Sequence, residues 1–146
     1  MDFSKFDKQI DLEGLKQDIA DSVNNDYKEV PHGTYEVAIT KLELGESKKG
    51  DPMVKAWFKI LEGEFKNSLV FMNQVVTKGF QIHIVDEFLR SLGTDIAVCF
   101  ESYSQYANLI ADVYEDVNGN FEYALEYGES KGFNTFKIKE VFELNY

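Results

Sequence analysis

The spacing of apolar residues along the chain changes period more than once. Near the N-terminus Leu12, Leu15, Ile19 and Val23 follow the three-and-four-residue rhythm of one helical face, with Asp11 placed to cap it. Asn24-Asn25-Asp26 breaks that rhythm, so residues 1–30 read as a helical arm. Phe3, Phe6 and Ile10 would dock this arm on the main body or on a partner. From Gly33 the period becomes two. Thr34–Leu42 alternates as a strand, with Tyr35, Val37 and Ile39 on one face. Met53–Leu61 and Ser68–Val76 follow as the second and third strands, set apart by the polar stretch Glu46–Pro52 and by Gly63. Phe80, Ile84, Phe88 and Leu92 then recur every four residues, which predicts an amphipathic helix ended by Gly93. Residues 94–107 hold a short helix or a loop. Leu109–Glu115 and Phe121–Tyr127 read as strands flanking Asn118-Gly119, a strong hairpin signal, and Phe133–Leu144 reads as the last strand.

This order, β-β-β-α-β-β-β, predicts a mainly β chain. Residues 31–146 fit an OB-fold-like antiparallel barrel, β-β-β-α-β-β with an extra C-terminal strand, preceded by the arm of residues 1–30. An unrelated six-stranded α+β sheet is the alternative.

Composition narrows the class. The 146 residues are 44% hydrophobic and 14% aromatic, enough for one domain with a packed core and an accessory segment. No apolar run approaches the roughly 20 residues a membrane helix needs. The opening Met1-Asp2-Phe3-Ser4-Lys5 lacks the order of a secretion signal, and Cys99, the single cysteine, rules out an internal disulfide. The expectation is a soluble protein of the cytoplasm with no membrane partner. The net charge of −11 argues against a polyanionic ligand until its distribution is considered. Residues 31–80 carry 7 Lys against 6 Asp and Glu, whereas residues 81–146 carry 4 Lys and Arg against 12. An anion-binding face therefore belongs in the middle of the chain.

The second strand carries the most chemistry. Alternation gives Val54, Ala56, Phe58 and Ile60 a dry face, and leaves Lys55, Trp57 and Lys59 together on the other. A nucleobase stacks on an indole while flanking ammonium groups meet its phosphates, and strands two and three form the oligonucleotide platform of OB barrels. A tryptophan packed beneath the N-terminal arm, with lysines reaching out past it, would leave the same pattern. On the third strand Asn73 offers a donor and an acceptor to a base or sugar, and Phe71 is expected in the core. Lys48 and Lys49 lie in the first hairpin loop, where Gly50 would let the backbone approach a phosphate. A solvated turn explains them equally well. Lys137 and Lys139 share a face with Phe133 and Thr135 on the last strand, either as a further binding stripe or as a charged edge that discourages strand pairing.

No enzyme constellation is present. His32 and His83 stand alone, there is no Gly-rich phosphate loop or nucleophile elbow, and neither cofactor nor metal is expected. Asp112, Glu115, Asp116 and Glu122 lack the spacing of a calcium loop.

The turns around these strands carry a resemblance. Val30-Pro31-His32-Gly33-Thr34-Tyr35-Glu36-Val37, Glu46-Ser47-Lys48-Lys49-Gly50-Asp51-Pro52-Met53, Leu61-Glu62-Gly63-Glu64-Phe65-Lys66-Asn67 and the opening Asp2-Phe3-Ser4-Lys5-Phe6-Asp7 resemble a phage-encoded family of unknown function. Genes of that family lie among replication and recombination genes, and its members are regarded as similar to single-stranded-DNA-binding proteins. The resemblance implies an OB-like fold, single-stranded DNA as ligand, replication or recombination proteins of phage or host as partners, and the bacterial host cytoplasm. Single-stranded-DNA-binding domains commonly pair, so a homo-oligomer stays open. The chain ends Lys139-Glu140-Val141-Phe142-Glu143-Leu144-Asn145-Tyr146, which differs from the flexible acidic tail of familiar single-stranded-DNA-binding proteins, and recruitment through such a tail is not expected.

A rival expectation is an acidic protein-interaction module, a DNA mimic or inhibitor of a host protein. It would use Glu101, Asp112, Glu115, Asp116, Glu122, Glu126 and Glu129 to occupy a basic groove.

Overall fold

The computed structural model describes residues 29–144. Five strands form one antiparallel sheet: β1 (Gly33–Glu46), β2 (Pro52–Ile60), β3 (Leu69–Val75), β4 (Phe121–Ser130) and β5 (Phe133–Glu143). Their spatial order is β3-β2-β1-β4-β5. Two helices, α1 (Gly79–Arg90) and α2 (Tyr103–Val117), occupy the connection from β3 to β4. The expected N-terminal helix over residues 11–24 lies outside the described residues.

Alternation decides which side of the sheet is dry. Val37, Ile39, Val54, Ala56, Phe58, Ile60, Val70, Met72, Tyr123 and Leu125 all point to one inner face, and all are buried. Val85, Phe88 and Leu89 of α1 close this face together with Tyr106, Ile110 and Val113 of α2. The few polar groups within are partnered. The Tyr123 hydroxyl donates to the Leu92 carbonyl at 2.8 Å, and the Tyr106 hydroxyl to Asp86 Oδ1 at 2.5 Å. Burial pushes both phenols well above the ordinary tyrosine value, and the Asp86 bond adds to the effect at Tyr106.

The sheet curls. Phe58 of β2 stacks on Phe136 of β5 with centroids 5.9 Å apart, although β1 and β4 lie between them. In a flat sheet those two strands would stand about 14 Å apart. An extra residue in β1 at Thr40, and another in β5 at Lys139, break the register and let the strands bend. The curl stops short of closure. Among the described residues β3 and β5 stay as unpaired edges, and α1 packs against both.

Four expectations require correction. Leu109–Glu115 is not a strand: it lies within α2, whose buried positions Tyr106, Leu109, Ile110, Val113 and Val117 follow helical spacing. The Ser102 hydroxyl caps that helix by accepting from the Gln105 backbone N–H at 3.1 Å. Consequently Asn118-Gly119 is no hairpin. Asn118 caps the end of α2, and Gly119, at φ +79, turns the chain into β4. With one strand fewer, β5 is the fifth strand of the sheet and not an added one. Finally, α1 does not bury the Phe80–Ile84 line. Those residues are 64% and 47% exposed, while Val85, Phe88, Leu89 and the following Leu92 face the core.

Candidate nucleic-acid interface

Register settles what the outer face of the sheet presents. Across β1, β2 and β3, Lys41 pairs with Trp57 and Trp57 with Phe71. The next row is Glu43, Lys55 and Asn73, and the row on the other side is Ala38, Lys59 and Leu69. Successive rows are about 6.8 Å apart. Alternation along β2 sets Lys55, Trp57 and Lys59 on one face, and the β2–β3 register, which the sequence leaves open, brings Asn73 beside them. Phe71, expected in the core, stands instead on this outer face and is 41% exposed. Its neighbours Val70 and Met72 take the inner face, so the parity of β3 leaves Phe71 no other place.

Lys41 joins the site through the bulge at Thr40. A regular β1 would put residue 41 on the same side as Val37 and Ile39. The extra residue turns Leu42 inward and Lys41 outward, where its Nζ lies 4.5 Å from the Trp57 ring centroid. Glu43 holds the same ammonium at 3.2 Å. Phe71 meets the indole edge-to-face, with centroids 5.5 Å apart and planes at 89°. Lys55 leans across β1 at Gly45, where a Cβ would come within 3.5 Å of its Nζ.

Lys48 and Lys49 stand exposed in the loop that continues this hairpin, beginning about 17 Å along β2 from Trp57. The loop is tight. Gly50, at φ +86, donates its N–H to the Ser47 carbonyl at 2.9 Å, and Asp51 N–H donates to Ser47 Oγ at 3.0 Å. Gly50 therefore serves the turn, and its amide is engaged there. Lys137 and Lys139 lie elsewhere, on β5, with β1 and β4 between them and Trp57. Lys139 is bound to Glu126 at 3.1 Å.

The outer face is electrically divided. β2 contributes Lys55 and Lys59, while β1 and β4 contribute Glu36, Glu122 and Glu126. The Glu36 carboxyl is held above the usual carboxylate range by a shared hydrogen bond with Glu62, by burial, and by the charges of Glu62 and Glu122. The acidic residues of the rival expectation do not share one surface. Asp112, Glu115 and Asp116 project from α2, on the opposite side of the sheet from Glu122 and Glu126. Among the described residues no three His, Cys, Asp or Glu side chains converge as a metal site requires. No helix among them is long and apolar enough to cross a membrane.

Of the residues that build this face, Lys41 and Phe71 escaped sequence reasoning. A signal existed for Lys41: a lysine in phase with Val37 and Ile39 is itself evidence for a bulge. Phe71 depended on register, which is not a local property.

Residues 17–136 match the model of a family described as "Protein of unknown function (DUF669)", and the chain belongs to that family. No curated protein matches the sequence.

Proposed function

We propose that this DUF669 protein binds single-stranded DNA, with little sequence preference, through the outer face of β2 and β3. One observation carries the reading: the partly exposed Trp57–Phe71 pair lies on a solvent-facing sheet surface with Lys55 and Lys59 on either side. Aromatic side chains on which bases stack, flanked by cations along the backbone path, are the usual elements of sequence-tolerant single-strand binding. Asn73 adds an amide next to the same ring pair, and the Lys48–Lys49 loop extends the basic track at one end.

The fold supports the same reading. A curled sheet in the order β3-β2-β1-β4-β5, with α1 against both free edges, is what an OB barrel opened between its third and fifth strands would look like. In OB barrels the face of strands two and three, and the loop between strands one and two, contact oligonucleotides. The protein then acts by binding and not by catalysis. Its turn motifs resemble those of phage proteins encoded beside replication and recombination genes, and this supports a role in those processes in the host cytoplasm.

The test is a titration of the full chain with a labelled oligo-dT at low salt, followed by anisotropy, with a basic protein as the competing ligand. Saturable binding to the oligonucleotide is expected. Binding to the basic protein alone, with none to DNA, would refute the reading.

A further inference from the structure

The two rings at the centre of this face are not equivalent. Trp57 stands on β2, an interior strand with neighbours on both sides. One of its faces carries the Lys41 ammonium at 4.5 Å, and Glu43 fixes that ammonium at 3.2 Å. Among the described residues its other ring contact is with Phe71. A base approaching the indole from the Lys41 side has to displace a cation that a carboxylate is holding. Phe71 stands on β3, an edge strand of the sheet among the described residues. It is 41% exposed, and on its own strand Val70 and Met72 are only 3% exposed.

Charge is arranged around Phe71 in the same sense. The strand partner of Phe71 is Trp57; Lys55 and Lys59 lie diagonally to either side, about 7–8 Å away, within reach of a lysine side chain. Asn73, exposed and two residues further along β3, projects on the same face.

From this we infer that the nucleobase stacks on Phe71, and that Trp57 is the wall that holds the Phe71 ring in place. The inference rests on the single-stranded DNA reading above and assigns the stacking surface within that site. The phosphates on the two sides of the stacked base meet Lys55 and Lys59. The Asn73 amide meets the edge of the base or its sugar, with both a donor and an acceptor to offer. Lys41 stays on Trp57 when the strand is bound.

Anisotropy titration of labelled oligo-dT at low salt, with the full chain and three variants, tests the assignment. Phe71→Leu keeps an apolar side chain but removes the ring, and should weaken binding by about 5- to 150-fold, the range for losing one stacked base. Phe71→Tyr restores a ring and should bind close to wild type. Trp57→Phe keeps a wall and should also bind close to wild type. Thermal melts followed by circular dichroism confirm that each variant is folded. If Phe71→Leu binds as tightly as wild type, or if Trp57→Phe is the variant that loses affinity, the assignment to Phe71 fails while the DNA reading stands. If wild type itself does not bind, both fail.

Discussion

Salt should weaken DNA binding by an amount that the lysines of the outer face set. Four of them, Lys48, Lys49, Lys55 and Lys59, stand on or beside the β2 surface without an ion pair among the described residues. Lys41 is committed to Glu43 and Trp57, and Lys139 to Glu126. Each phosphate neutralised on a single strand contributes about −0.7 to the slope of log K against log salt, so four give about −2.8. Between 50 and 200 mM salt that corresponds to roughly a 50-fold loss of affinity. The assay is the oligo-dT anisotropy titration repeated over a potassium chloride series. Replacing Lys48 and Lys49 together with glutamine should halve the slope to about −1.4, as should replacing Lys55 and Lys59. Lys139→Gln should leave it unchanged, because that ammonium is already paired with Glu126 and stands on β5, with β1 and β4 between it and β2. A wild-type slope shallower than about −1, or a slope that Lys139→Gln reduces and Lys55→Gln with Lys59→Gln does not, would refute the placement of the phosphates.

The core supports three further predictions. Tyr123→Phe leaves the Leu92 carbonyl without its buried donor and should cost about 1–3 kcal/mol, read as a lower urea midpoint with an unchanged m value. Ser102→Ala removes the acceptor for the Gln105 N–H at the start of α2 and should cost about 1 kcal/mol by the same measurement, with helix content retained. Stability should also fall in alkali. Tyr106 and Tyr123 keep their protons in the folded state when unfolded tyrosines lose theirs near pH 10. The stability they contribute is complete below that pH and is lost as pH rises above it. Urea midpoints that stay flat from neutral pH to well above 10 would contradict the burial of these two phenols.

The strands were legible where one face is dry and the other wet. β2 shows this best: Val54, Ala56, Phe58 and Ile60 are all fully buried, and the lysines and tryptophan between them are not. The second helix was not legible by the same rule. Leu109-Ile110-Ala111-Asp112-Val113-Tyr114-Glu115 is rich in residues that favour strands, and Asn-Gly follows it. The decisive signal lay upstream, in the pairing of Ser102 with Gln105 ahead of the Tyr106–Val117 spacing. In α1 the error was of phase. Phe80 and Ile84 complete an apolar line with Phe88, but the core accepts only the line through Val85, Phe88 and Leu89. Local pattern offers two overlapping apolar stripes there, and only the packing of α1 on β3 and β5 selects between them. Register had the same character. Whether Phe71 or Val70 meets Trp57 depends on a hairpin whose loop, Leu61–Ser68, has no turn signal strong enough to fix it.

A net charge of −11 is compatible with an anionic ligand because Glu43, the carboxylate opposite Lys55, is already engaged by Lys41 at 3.2 Å, and Glu36 and the acidic residues of α2 and β4 stand off the β2–β3 surface. Asp112, Glu115 and Asp116 project from α2, a helix about 10 Å across on the far side of the sheet. That is beyond the screening length of about 8 Å at physiological ionic strength, so their repulsion at β2 is weak there and grows only as salt is removed. Glu36, Glu122 and Glu126 are nearer, on the same face, and they act laterally. A strand lying over Lys55, Phe71 and Lys59 cannot spread onto β1 and β4 without bringing its phosphates against these carboxylates. The acidic half of the face therefore confines the path to β2 and β3, towards the open edge where Phe71 stands. The same division sets a limit on affinity at very low salt, where the far carboxylates become unscreened and the plot of log K against log salt should flatten.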